Sequence, residues 1–198
     1  DSMGVFWADG VSVALLAYQT FNNAYERLNE EMPQDVAAAK AAYDVVIVSF
    51  HWGNELDYAP HERQIALGRL AVDSGADLVL GHHSHRINPI ERYKGKYIVY
   101  SLGNFVFSGN SQPSDMDTFI FQQKLIVSDE GVSDGGFRVI PCSISSVTAA
   151  SGKKSGENDF AATPFEAGSA AAQRVIDTML KNGKSLEFAV ESYPTEWQ

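Results

Sequence analysis

Two short runs of almost unbroken apolar residues constrain this chain more than anything else in it: DVVIVSF at 44–50 and DLVLG at 77–81. Each has the length of a strand, and a strand without polar alternation is one covered on both faces, as in parallel sheets. Between them, Pro60 opens PHERQIALGRLAVDSG, where Ala66, Leu67, Leu70 and Ala71 share one helical face and Gly75 supplies a stop. Upstream, PQDVAAAKAAY (33–43) begins at a proline suited to a first helical turn and spaces Val36, Ala39 and Tyr43 helically. Residues 33–81 therefore read helix, strand, helix, strand, the grammar of parallel strands joined by crossovers. GVSVALLAY (10–18) adds a further strand ahead of them.

Beyond residue 86 the grammar changes. INPIERYKGKYIVYSL (87–102) reads as two strands about a Lys-Gly-Lys turn, and TFIFQQKLIVS and GGFRVIPCSIS form a second antiparallel pair about DEG. Residues 149–164, rich in Gly, Ser, Lys and Asn, read as a surface loop. AGSAAAQRVIDTMLKNG is a final helix ending at Gly183. No repeat or linker divides the chain. The expectation is one domain over 1–198, with an α/β part at 1–110 and antiparallel strands, loop and helix at 111–198.

Composition narrows the partners. Twenty-five acidic against fifteen basic residues give a formal net charge of −10 without a Lys/Arg cluster. That balance argues against a nucleic acid or an anionic membrane surface as the main partner. An anionic substrate would have to be drawn in by a local feature such as a metal or backbone amides. Cys142 is the only cysteine, which rules out an internal disulfide and a thiolate zinc site. No apolar run reaches the roughly 18 residues of a membrane span.

Both apolar runs lead directly into imidazole. His51 follows the first, and GHHSH places His82, His83 and His85 after the second. In open α/β sheets, ligand-binding groups collect at strand ends, and strands flanking one crossover are often neighbours. On extended backbone, His83 and His85 would face the same way and His82 the other. With His51 they could offer three neutral imidazoles to zinc or another divalent metal. The alternative is that each is an ordinary loop histidine bonded to backbone. His61, in the first turn of a helix, reads as exposed. Neither a phosphate-binding glycine loop nor a nucleophile elbow occurs.

The chain nevertheless carries a set of motifs in order: SFHWGNE with Pro60 and Gln64, then GADLVLGHHSH, then PIERYKGKYIVYSLGNFVF. Together they resemble the CapA-type family of bacterial poly-γ-glutamate capsule synthesis proteins, over about residues 10–188. That family's domain is similar to the calcineurin-like metallophosphoesterases. The resemblance implies a metallophosphoesterase-like β-sandwich flanked by helices, of which this chain would be the C-terminal portion. It implies divalent metal ions (Mn, Zn or Fe), with His51 and His83 on one metal and His85 on the other. His82 stands where the wider superfamily usually has glycine, and Glu55 and Asn104 match family motif positions that line the site without an assigned role. The superfamily's earlier motifs, which bring a bridging aspartate and an asparagine, do not occur in residues 1–50. The site is therefore expected to be incomplete in this chain, and hydrolase activity to require those motifs. An anionic polymer or phosphoester substrate, a membrane-associated capsule machinery and an extracytoplasmic, membrane-anchored setting are implied too, with the anchor outside this chain. A non-catalytic scaffold in the same machinery is the alternative.

Overall fold

The computed structural model describes residues 2–22 and 24–197. Its centre is a six-stranded sheet of β1 (Ser2–Ala8), β2 (Val11–Gln19), β3 (Val45–His51), β4 (Leu78–His82), β5 (Ile90–Tyr93) and β6 (Lys96–Val99). The spatial order is β1-β2-β3-β4-β6-β5. β2, β3, β4 and β6 run parallel, while β1 and β5 are antiparallel edge strands. Helices α1 (Ala24–Ala42) and α2 (Glu62–Asp73) supply the crossovers into β3 and β4. A second, three-stranded antiparallel sheet holds β7 (Asp117–Ser128), β8 (Gly131–Ser143) and β9 (Thr163–Pro164), with α3 (Ser146–Ser151) and α4 (Ala170–Gly183) beside it. The fold class is thus the expected one: α/β, with two sheets flanked by helices.

Strand alternation distributes the core. Val46, Val48 and Phe50 of β3, Val79 of β4 and Ile98 of β6 pack with Leu28, Met32 and Val36 of α1 and Leu67 and Ala71 of α2. The opposite faces of β4 and β6, with Leu78, Tyr97 and Val99, pack with Phe119 of β7, Val139 of β8 and Val175 and Met179 of α4. The apolar runs lack polar alternation because both faces of the central strands are covered. At the other end of β3 and β4, the buried Asp77 carboxylate fixes their start. It accepts from the Val46 N–H at 2.9 Å and from Lys40 and Lys96 at 2.8 and 2.9 Å.

Two expectations need correction, and one strand was not foreseen. The first helix begins at Ala24, so Pro33 lies inside it rather than at its start. The proline forfeits one backbone hydrogen bond, a cost of about 3 kcal/mol. Leu28, Met32 and Val36, all fully buried, each contribute roughly 1.5–3 kcal/mol on that helix's inner face and outweigh it. Residues 149–164 are not only loop, since they include the end of α3 and the strand β9. Strand β1 was not foreseen: it is exposed along nearly its whole length and offers no buried face for the sequence to betray.

Candidate metal centre

β3 and β4 lie side by side in parallel, and their last residues, His51 and His82, are register partners. The pairing continues past the strands, with the Trp52 N–H donating to the His82 carbonyl at 3.2 Å and the Thr20 N–H to the His51 carbonyl at 3.1 Å. Trp52 is the buried peg beneath this end of the sheet. Its indole stacks on Phe50 at 4.5 Å between centroids, and its Nε1–H donates to the Tyr100 carbonyl at 3.0 Å. Gly81 is what makes room for it, because a Cβ there would fall 2.5 Å from the Trp52 Nε1 and collide with the Tyr100 carbonyl oxygen.

The extended backbone stops at His82. His83 and His85 have φ of 106° and 56°, so they are not two like-facing positions of a strand, as the sequence reading supposed. The chain turns sharply instead. The Ser84 Oγ donates to the Arg86 carbonyl at 2.8 Å and the Ser84 carbonyl accepts from the Leu56 N–H at 2.7 Å, tying this turn to the one after Trp52. Left-handed backbone at a non-glycine residue costs of order 1–3 kcal/mol and tends to be kept where it positions functional groups.

The turn brings the side chains together. One donor atom each from Glu55, His83 and His85 lie within 4.8 Å of one another. The His51 ring is 4.7 Å from that of His83, and the His83 ring 6.0 Å from that of His85. His51, Glu55, His82, His83, His85 and Asn104 all line one open cavity of about 630 Å³. His82 therefore shares the cavity rather than facing away from it, because its neighbour's turned backbone, not strand alternation, sets where the other rings go.

Asn104 is almost fully buried, and its Oδ1 lies 2.5 Å from the His85 Nδ1. That contact places the His85 proton on Nδ1 and leaves the Nε2 lone pair free, 3.9 Å from a Glu55 carboxylate oxygen. A ring held through one nitrogen with the other free is the usual arrangement of a metal-binding histidine. Burial, followed by mutual repulsion with neighbouring imidazoles, holds His51, His82 and His83 below the ordinary histidine pKa. At neutral pH these rings are uncharged and can donate lone pairs. The ring nitrogens of His51 and His83 have no hydrogen-bond partner among the described residues, so the donor set fits a divalent cation.

Two aromatic side chains pack against these rings: Phe21, which the sequence reading did not single out, and Phe107, which it read as core. Phe21 meets the His51 and His83 rings edge-on at 5.3 and 4.7 Å, and Phe107 lies 4.5 Å from the His85 ring. Phe21 stands at no motif position or periodic spacing that could have marked it, whereas Phe107 closes the SLGNFVF motif, where its alternation with Phe105 suggested core packing rather than a site wall. His61 lies away from the cluster. It begins α2, and its backbone N–H donates to the Gln64 side chain at 3.1 Å.

Fold and site together define an α/β protein with a histidine-rich cavity, flanked by a carboxylate, at the C-terminal ends of two adjacent parallel strands. The family model for "Bacterial capsule synthesis protein PGA_cap" matches residues 5–109, and the chain belongs to that family. It is 41% identical over 119 residues to the PGA biosynthesis protein CapA of Bacillus subtilis (strain 168), covering 60% of this chain and 30% of that protein. It is 50% identical over 68 residues to the capsule biosynthesis protein CapA of Bacillus anthracis, covering 34% and 16% respectively. The chain thus spans less than a third of the length of these relatives. Among solved structures, it is similar to a Staphylococcus aureus protein assigned as a 5'-nucleotidase and solved with alpha-ketoglutarate. There the identity is 17% and the TM-score 0.45, over 70% of this chain and 29% of that one.

Proposed function

We propose that this chain carries the metal-binding part of a protein acting in synthesis or export of poly-γ-glutamate capsule, with His51, His83, His85 and Glu55 as ligands. The observation that carries the reading is the convergence of the Glu55, His83 and His85 donor atoms within 4.8 Å, with His51 beside them. A manganese, zinc or iron ion held there would supply Lewis acidity toward a phosphoryl or carbonyl oxygen of an anionic polymer or phosphoester. The protein's own residues supply orientation. Asn104 fixes the His85 tautomer, the turn through Ser84 sets the rings, and Phe21 and Phe107 pack against the His51, His83 and His85 rings and limit how they can turn. The names of the relatives, which place them in PGA and capsule biosynthesis, support a role at the cell surface, and we propose a membrane-associated capsule machinery as its setting. No described helix is long and apolar enough to cross a membrane.

A scaffold that keeps the metal without turnover is the second reading. In this chain Glu55 is the one carboxylate among the described residues to join the histidines. A two-metal displacement needs ions held about 3.5–4 Å apart, for which a single carboxylate is a sparse ligand set. The test is hydrolysis of a generic phosphodiester by the full-length protein with manganese or zinc. Metal-dependent turnover that disappears in His83→Ala supports the enzyme. Bound metal without turnover supports the scaffold.

A further inference from the structure

Next to the histidine cavity lies a second cavity of about 170 Å³, lined by Phe21, whose ring also meets the His51 and His83 rings. The loop after β3 serves both: Asn54 lines the smaller cavity and Glu55 the larger. Although the chain carries ten more acidic than basic side chains, no acidic residue lines the smaller cavity, while His61 and Arg63 do.

Arg63 differs from the other arginines. Arg27, Arg69, Arg92 and Arg174 pair with carboxylates, and Arg86 and Arg138 reach hydroxyl, carbonyl or amide oxygens. Arg63 alone has no acceptor among the described residues. Its guanidinium carbon sits 4.8 Å above the Tyr25 ring centroid, a stacking that orients the group while leaving its N–H edge free. Beside it, the Gln64 side chain is 3% exposed and packs against Gly53, where a Cβ would come within 2.7 Å of the carboxamide. Its Oε1 is taken by the His61 N–H, and its Nε2 donates to nothing among the described residues. An oriented fork of donors at the wall of a small cavity, with a second free N–H beside it, is complementary to a planar carboxylate.

We propose that this cavity is an anion subsite that takes a carboxylate of an acidic, glutamate-like polymer unit while a neighbouring part of the chain lies at the histidine cavity. Arg63 is its principal donor and the residue that sets specificity. The assignment of the polymer rests on the function proposed above; the subsite itself rests on Arg63, Gln64 and the cavity.

The test is calorimetric titration of the chain, both zinc-loaded and metal-stripped, with a γ-linked glutamate pentamer. A γ-linked isoglutamine pentamer, in which each free α-carboxylate is a neutral amide, and inorganic phosphate serve as competing probes. Arg63→Gln is expected to weaken the acidic pentamer roughly tenfold to hundredfold in both metal states, with Arg63→Lys in between. The Arg63 side chain is exposed and makes only the ring contact, and melting curves of both variants verify folding. The proposal is overturned if the wild type does not bind the acidic pentamer, if either variant binds it as wild type does, or if the neutral pentamer or phosphate binds as tightly. Zinc content of the same samples reports on the histidine site separately. Zinc lost with Arg63 dependence intact sinks the metal reading alone, and the converse sinks the subsite alone.

Discussion

Replacing Gly81 with alanine tests the argument that the end of the sheet is shaped around Trp52. The added methyl has no open space: the Tyr100 carbonyl and the Trp52 Nε1 already occupy its position, and both are buried. Neither can yield cheaply, since the carbonyl is backbone and the indole is stacked between Phe50 and Tyr100. Overpacking of this kind costs typically 1–3 kcal/mol. Forcing the indole off the carbonyl leaves a buried donor and acceptor unpaired, for about 1–3 kcal/mol more. The sum, about 2–6 kcal/mol, is a large share of the roughly 5–15 kcal/mol by which domains are stable. Urea unfolding followed by tryptophan fluorescence would measure it, with the midpoint falling sharply and the slope unchanged. A loss below about 1 kcal/mol, the ordinary size of a point substitution, would refute the packing argument.

Two further outcomes follow from the site. In chelator, burial lowers the folded-state pKa of His51, His82 and His83 below the ordinary 6.5, so below that pH the unfolded chain takes up protons more readily. Stability should be fully present above pH 6.5 and decline as pH falls toward the folded-state values. His82→Gln should flatten that decline, and melting temperatures across the range would show it; an unchanged slope would contradict the burial argument. Asn104→Ala removes the acceptor that holds His85 and should weaken metal affinity roughly 10–100-fold, measured by competition with a chelating dye. Unchanged affinity would mean that Asn104 does not set the tautomer.

What was legible in the sequence was what burial writes into it. β3, α2 and β4 could be read because both faces of the strands and one face of the helix are covered, leaving uninterrupted apolar runs and a clean stripe. The meeting of His51 with the GHHSH segment followed from the adjacency of two strands around one crossover. The start of α1 was hidden because Pro33, a good first residue, is tolerated mid-helix by a fully buried stripe. β1 was hidden because its residues face solvent. The geometry of His83 and His85 was not legible either. The turn that aims them depends on positive φ at two histidines and on the Ser84 carbonyl meeting Leu56, and no local pattern encodes these. Phe21 and Arg63 owe their places to tertiary contacts alone.

The central claim is that these imidazoles and Glu55 hold a divalent ion. Elemental analysis of the chain, loaded with zinc or manganese and then dialysed, tests it beside a His83→Ala/His85→Ala control. The control removes two ligands together with two bulky side chains at positive φ. The account predicts close to one ion per chain in the wild type and essentially none in the control. Metal absent from the wild type, or retained equally by the control, would contradict it.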